Sequence, residues 1–130
     1  MSQNDRLTEV TPLQFAYIGD SVYDLLVRSE LLHKGEKLHR MHHQAISIVN
    51  AAAQSRTLEL LRPHLTEEEA DMVRKGRNAH SKHQVPKSAS CAEYSAATGL
   101  EALFGYLYLK GSLERLIELF ELSMAGIPAE

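Results

Sequence analysis

The chain has no tryptophan, a single cysteine and few aromatic residues, 6% in all, among its 130 residues. Each shortage excludes something. One cysteine, Cys91, cannot build an internal disulfide framework. Scarce aromatics argue against a stacking platform for single-stranded nucleic acid. No apolar run reaches membrane-spanning length. Asp20, Asp24 and Arg28 interrupt the first candidate, while Glu93 and Lys110 bound the second, which contains Glu101. No charged-then-apolar leader opens the chain, so it reads as cytoplasmic with no membrane role. Strand alternation is also missing, and helical punctuation is frequent. With 44% hydrophobic residues, the length suits one core and is short for two ordinary domains. The expectation is an all-α fold, a single domain over 1–130, with its core at about 11–120.

What the chain does have is two lone carboxylates inside its most apolar helical stretches. Asp20 lies in FAYIGDSVYDLLV, and Glu101 is the one charged residue of AATGLEALFGYLYL. An isolated ionised carboxylate in a low-dielectric interior costs several kcal/mol or shifts its pKa until it is neutral. No basic residue stands one helical turn from Glu101, where Ala97, Thr98, Phe104 and Gly105 are found, so a local ion pair cannot compensate it. A hard cation such as Mg²⁺ would satisfy both acids if the helices meet. The plainer alternative is that each acid is a satisfied core group or sits at the edge of a buried stripe.

The net charge of −3 conceals a segregation. No acid occurs from Met72 to Ala92, where Arg74, Lys75, Arg77, Lys82 and Lys87 gather with His80 and His83. Acids crowd the preceding helix start at Glu67, Glu68, Glu69 and Asp71. Five fixed positive charges make a local footprint for a polyanion. On charge alone, a solvated basic loop without a ligand accounts for them equally well.

Along the chain, Thr11 and Pro12 open a helix that Gly35 stops. Its residues are apolar nearly all round, which predicts a central element with Asp20 in packing or in a cleft. A helical pattern from Glu36 to Leu61 suggests two helices with a break near His42 or His43, ended by Pro63. Thr66 with Glu67 to Glu69 forms a capping box for a helix running towards Asn78. The stretch GRNAHSKHQVPKSAS, 76–90, reads mostly as an exposed loop. A further helix begins near Cys91 and is stopped by Gly111, and Ser112 caps the last. Gly19, Gly99 and Gly105 suggest that the two acid-bearing helices cross closely.

These residues carry a family resemblance. AYIGDSVYDLLVRSELL resembles the signature helix of ribonuclease III, in which an FLGD-type tetrapeptide presents a metal-ligating Asp. LEALFGYLYL resembles the second signature, in which a Glu precedes an ALIGAIYL-like run. RKGRNAHSKHQVPKSA is similar to the RGRNAKS…PKNA loop of the Mini-III branch, and KLHRM falls where that branch has a Leu-His pair. The resemblance implies a ribonuclease III endonuclease domain, a bundle of about six to seven helices that forms a homodimer without a separate double-stranded-RNA-binding domain. It implies Asp20 and Glu101 as catalytic metal ligands, with Mg²⁺ as cofactor and Mn²⁺ as substitute.

The implied reaction is hydrolysis of double-stranded RNA to 5′-phosphate and 3′-hydroxyl ends, with precursor large-subunit (23S) ribosomal RNA as substrate and a ribosomal protein as a candidate helper. Arg74, Lys75, Arg77, Asn78, Lys82 and Lys87 are the expected RNA contacts. Two further acids of ribonuclease III are replaced by Ala16 and Thr98, which bears on the number of metals; Asp24 is an outer-shell candidate or a surface residue. The rival readings are a non-catalytic RNA-binding or scaffold protein of the same fold, and a zinc site at His39, His42 and His43.

Overall fold

In the computed structural model, residues 7–81 and 91–126 are described, and within them six α-helices and one short 3₁₀ turn account for the regular structure. The helices are α1 (Pro12–His33), α2 (Leu38–Val49), α3 (Ala51–Leu61), α4 (Glu67–Ser81), α5 (Cys91–Lys110) and α6 (Leu113–Ala125). The all-α expectation holds. Lys82 and Lys87 lie outside the described residues.

Helix α5 is the centre of the bundle, packed against α1, α3, α4 and α6. Its sequence explains that position. Leu100, Leu103, Phe104 and Leu107 bury side chains in several directions, each worth roughly 1.5–3 kcal/mol on removal from water. Tyr23 of α1 meets Phe104 edge-on with ring centroids 5.2 Å apart, and Phe15 meets Tyr106 in the same way at 5.4 Å. Helix α1 begins with a capping box, in which the Gln14 amide donates to Thr11 Oγ1 at 3.1 Å and the Thr11 amide to Gln14 Oε1 at 2.9 Å. Gly35 and Gly111 take φ of +79° and +83°, terminating α1 and α5 as their sequences require.

Three local expectations are corrected. The break between α2 and α3 falls at Asn50, and the chain is helical through His42 and His43. Asn50 is extended, its Oδ1 accepts from the Ala53 amide at 2.9 Å, and its Nδ2 donates to the Ile46 and Ser47 carbonyls at 3.1 Å each. One side chain thus caps two helices. Helix α4 runs past Asn78 to Ser81, so the first part of the expected loop is helical. Gly76 is retained there because a Cβ would come within 2.8 Å of Ala102 Cβ and 3.0 Å of Gly99 Cα on α5. Ser112 precedes α6 but makes no side-chain capping bond.

The acids that open α4 do more than cap it. Glu69 closes the box with Thr66, and its buried carboxylate receives Arg115 Nε and Nη2 at 2.8 and 2.9 Å. That guanidinium, with the Thr66 backbone, holds the Glu69 carboxyl below its usual range despite burial. Glu68 receives Tyr106 Oη and Lys110 Nζ, each at 2.6 Å. The start of α4 is therefore tied to the end of α5 and to α6 across more than forty residues of sequence.

Candidate active site

Helices α1 and α5 cross with almost nothing between their backbones. A Cβ on Gly19 would overlap the Glu101 carbonyl oxygen and lie 2.8 Å from the Gly105 nitrogen; one on Gly105 would overlap the Phe15 carbonyl. The close crossing expected from Gly19 and Gly99 is present, but Gly105, not Gly99, is the glycine that meets Gly19 there. Gly99 serves a different contact, facing Val73 and Arg77 of α4. The residue after Gly19 is Asp20, and the crossing brings its carboxylate within hydrogen-bonding reach of Glu101.

The two acids differ in environment. Asp20 is exposed, which corrects the expectation that it is enclosed: α1 leaves one flank uncovered, where Tyr17, Ser21 and Leu25 are exposed as well. Glu101 is half-buried and surrounded by protein, and burial, reinforced by the hydrogen bond and like charge of Asp20, raises its pKa to about 8. Gln54 of α3 faces the carboxylate and opposes that shift. Neither group acting on Glu101 is cationic. A pair of carboxylates held together with no cation beside them among the described residues is an oxygen donor set suited to a hard divalent ion. No group of three His, Cys, Asp or Glu that could hold a metal occurs among the described residues. The fit is thus to an ion such as Mg²⁺, which is bound by one or two carboxylates and keeps several waters.

The neighbouring candidates are placed elsewhere. Asp24 pairs with Arg28 at 3.1 Å on the surface of α1. Ala16 is buried, and the Thr98 hydroxyl donates to the Tyr94 carbonyl at 2.9 Å. His39, His42 and His43 are exposed on α2. Arg74 pairs with Asp71, and Lys75 reaches the same carboxylate at 3.1 Å, so these two cations are partly neutralised by the last acid before the basic run. Arg77 is half-buried with its aliphatic stem against Gly99, and Asn78 is exposed. Gln54 escaped the sequence reading. Its only signal is a lone amide among small residues in AAAQS, and that pattern is equally compatible with a solvent-facing side chain.

The Glu101 shift sets a pH dependence. Between 4.5, its ordinary value, and about 8, the folded protein holds a proton on Glu101 that the unfolded chain has released. Stability from this group is therefore complete below that window and is lost as pH rises through it. In urea unfolding with EDTA, the wild type is expected to lose stability relative to Glu101→Gln between roughly pH 5 and 8. A difference that stayed flat over that range would remove Asp20 and burial as governors of Glu101.

A helical bundle centred on a two-carboxylate crossing is the architecture of a ribonuclease III domain, and the profile of the family described as Ribonuclease III domain matches residues 13–112. The Mini-ribonuclease 3 of Symbiobacterium thermophilum is 50% identical over 111 residues, 85% of each chain. That of Brevibacillus brevis is 40% identical over 133 residues, covering 98% of both. The crystal structure of a Fusobacterium nucleatum protein superposes with a TM-score of 0.82 at 26% identity, covering 93% of this chain and 97% of that one. The chain belongs to the ribonuclease III family, in the branch of the Mini-ribonuclease 3 proteins. It is accordingly an endoribonuclease of that family. Among the described residues, no helix is long and apolar enough to cross a membrane.

Proposed function

We propose that the protein is a Mg²⁺-dependent endonuclease of double-stranded RNA, acting in the cytoplasm as a homodimer in the maturation of precursor large-subunit ribosomal RNA, with or without a ribosomal protein to present the substrate. The observation that carries this reading is the meeting of Asp20 and Glu101 with no cationic partner among the described residues. Asp20 and Glu101 would hold the ion, which when bound lowers the pKa of water and acts as a Lewis acid towards the phosphoryl oxygens. Mn²⁺ offers the same oxygen-preferring chemistry. The exposure of Asp20 leaves the site open to a phosphodiester on the uncovered flank of α1.

That flank also supports the dimer. Tyr17, Leu25 and Leu32 are 80%, 65% and 66% exposed along the helix that carries Asp20, and exposed apolar stripes of this kind mark interaction surfaces. A second copy seated there would place two sites near one two-fold axis, as cutting both strands of a duplex requires. Incubating duplex RNA with the protein and Mg²⁺, with EDTA as control, tests the reaction. Staggered products bearing 5′-phosphates are expected, and absence of metal-dependent cleavage would leave a non-catalytic RNA-binding or scaffold role. Sedimentation of the same samples should show dimers at micromolar concentration; a monomer would remove the paired sites.

A-form RNA is read mainly by shape through phosphates and 2′-hydroxyls, so the basic residues are assigned to docking. Arg74 and Lys75 are engaged with Asp71, so the test is made on the other basic residues of the run, Arg77, Lys82 and Lys87. Neutralising the three together should weaken duplex binding for all sequences and flatten its salt dependence by roughly two to three units of slope, while the single-turnover rate with RNA saturating changes little. An unaltered slope would move the RNA to another face.

A further inference from the structure

Gln54 is a buried polar side chain with an unmet need. It is 3% exposed, and its amide nitrogen is buried without a well-formed hydrogen bond to another protein group. Buried amide donors are rarely left so, because the lost hydration is not recovered. The polar group that faces it is the Glu101 carboxylate, reached from the adjacent helix α3. The next turn repeats the arrangement. Tyr23, one turn beyond Asp20, is fully buried beside Thr57, one turn beyond Gln54, so the Asp20, Glu101 and Gln54 layer rests on packed side chains and not on solvent.

We propose that Gln54 is a positioning residue of the site, its amide nitrogen donating to one Glu101 oxygen so that the other is directed towards Asp20 and the bound cation. This rests on the metal-dependent reading above. The chemistry requires a donor of this kind. Asp20 repels an ionised Glu101 and would turn it away, and among the described residues no Lys or Arg supplies the opposing pull. A neutral amide can orient the carboxylate without competing with the cation for its charge. The buried Gln54 amide nitrogen, otherwise without a partner, is the donor placed to do this. Partners that orient ligating carboxylates typically change metal affinity by about 10–100-fold when removed.

The test is Gln54→Met, which keeps length and removes the donor. Mn²⁺ affinity measured by titration calorimetry on the intact protein should fall by about tenfold or more. The Mg²⁺ concentration for half-maximal cleavage should rise in parallel, with the KM for duplex RNA unchanged. The thermal midpoint in EDTA should stay level or rise, because a poorly satisfied buried amide is being replaced by an apolar group. A merely structural Gln54 would lower the midpoint and leave metal affinity alone, and that outcome overturns the proposal. Should the Met variant not fold, Gln54→Asn retains the amide but withdraws it by one methylene, and the same loss of affinity is expected. A wild-type protein that bound no Mn²⁺ would defeat the metal-dependent reading. The positioning role would then be decided by the metal-free crystal structure of Gln54→Met, where a Glu101 carboxylate in its wild-type orientation would refute it.

Discussion

Asp20→Asn and Glu101→Gln are each expected to lower the rate of duplex cleavage at saturating RNA by about a thousandfold or more, because each removes charge that holds the cation, and metal stabilisation of a phosphoryl transition state is worth several kcal/mol. Both substitutions preserve shape. Neither should unfold the protein, and Glu101→Gln should stabilise the metal-free form at neutral pH, where folding of the wild type requires a proton to be taken up on Glu101. The measurement is a single-turnover time course with each variant across a Mg²⁺ titration, beside a thermal melt in EDTA. A variant that cleaved at the wild-type rate at any Mg²⁺ concentration would take that residue out of the reaction.

Gly19→Ala should be the most damaging small change to the fold. Alanine is favoured over glycine in a helix interior by about 1 kcal/mol, so propensity alone predicts stabilisation. The neighbours reverse the sign. The added methyl would overlap the Glu101 carbonyl oxygen and come within 2.6 Å of its carbon, and both atoms belong to the backbone of the central helix, which cannot rotate aside. Overpacking against rigid neighbours costs typically 1–3 kcal/mol and occasionally more, so a net loss of about 2 kcal/mol and a fall of roughly 5–10 °C in midpoint are expected. Because the strain is relieved only by parting α1 from α5, the variant should also bind Mn²⁺ more weakly than its residual stability would suggest. A midpoint at or above the wild type would show that the crossing has room.

The features that were legible in the sequence are those whose partners lie within one helical turn. Thr11 as the cap of α1 and the box of Thr66 with Glu69 close within three residues, and Gly35 and Gly111 record a backbone angle that only their own position requires. Asp20 and Glu101 stood out because an acid in an apolar stretch demands a partner. Their nearness was readable through Gly19, but its partner on α5 is Gly105, and Gly99, beside Glu101, packs on α4 instead.

What was misread depended on distant chain. Glycine and asparagine at Gly76 and Asn78 resemble a loop, yet α4 continues there because Gly76 lies against Gly99 and Ala102. The partnership of Glu69 with Arg115, 46 residues on, leaves no local trace. Asp20 looked enclosed because its helix is apolar nearly all round, whereas the flank bearing Tyr17, Leu25 and Leu32 is uncovered. At Asn50 the helical periodicity simply runs on through the break, and hydrophobic spacing carries no record of a joint one residue long.

That joint limits how α2 and α3 can move. A single extended residue offers two soft torsions, and here three hydrogen bonds from one side chain hold the helix ends on either side of it. The angle between the helices is consequently tied to these bonds: to change it, the Asn50 side chain must release at least one of the two helix ends. The exposed histidine face of α2 and the buried amide of Gln54 on α3 are therefore joined through one side chain, and a displacement of the former is passed to the site through that clasp while it stays closed.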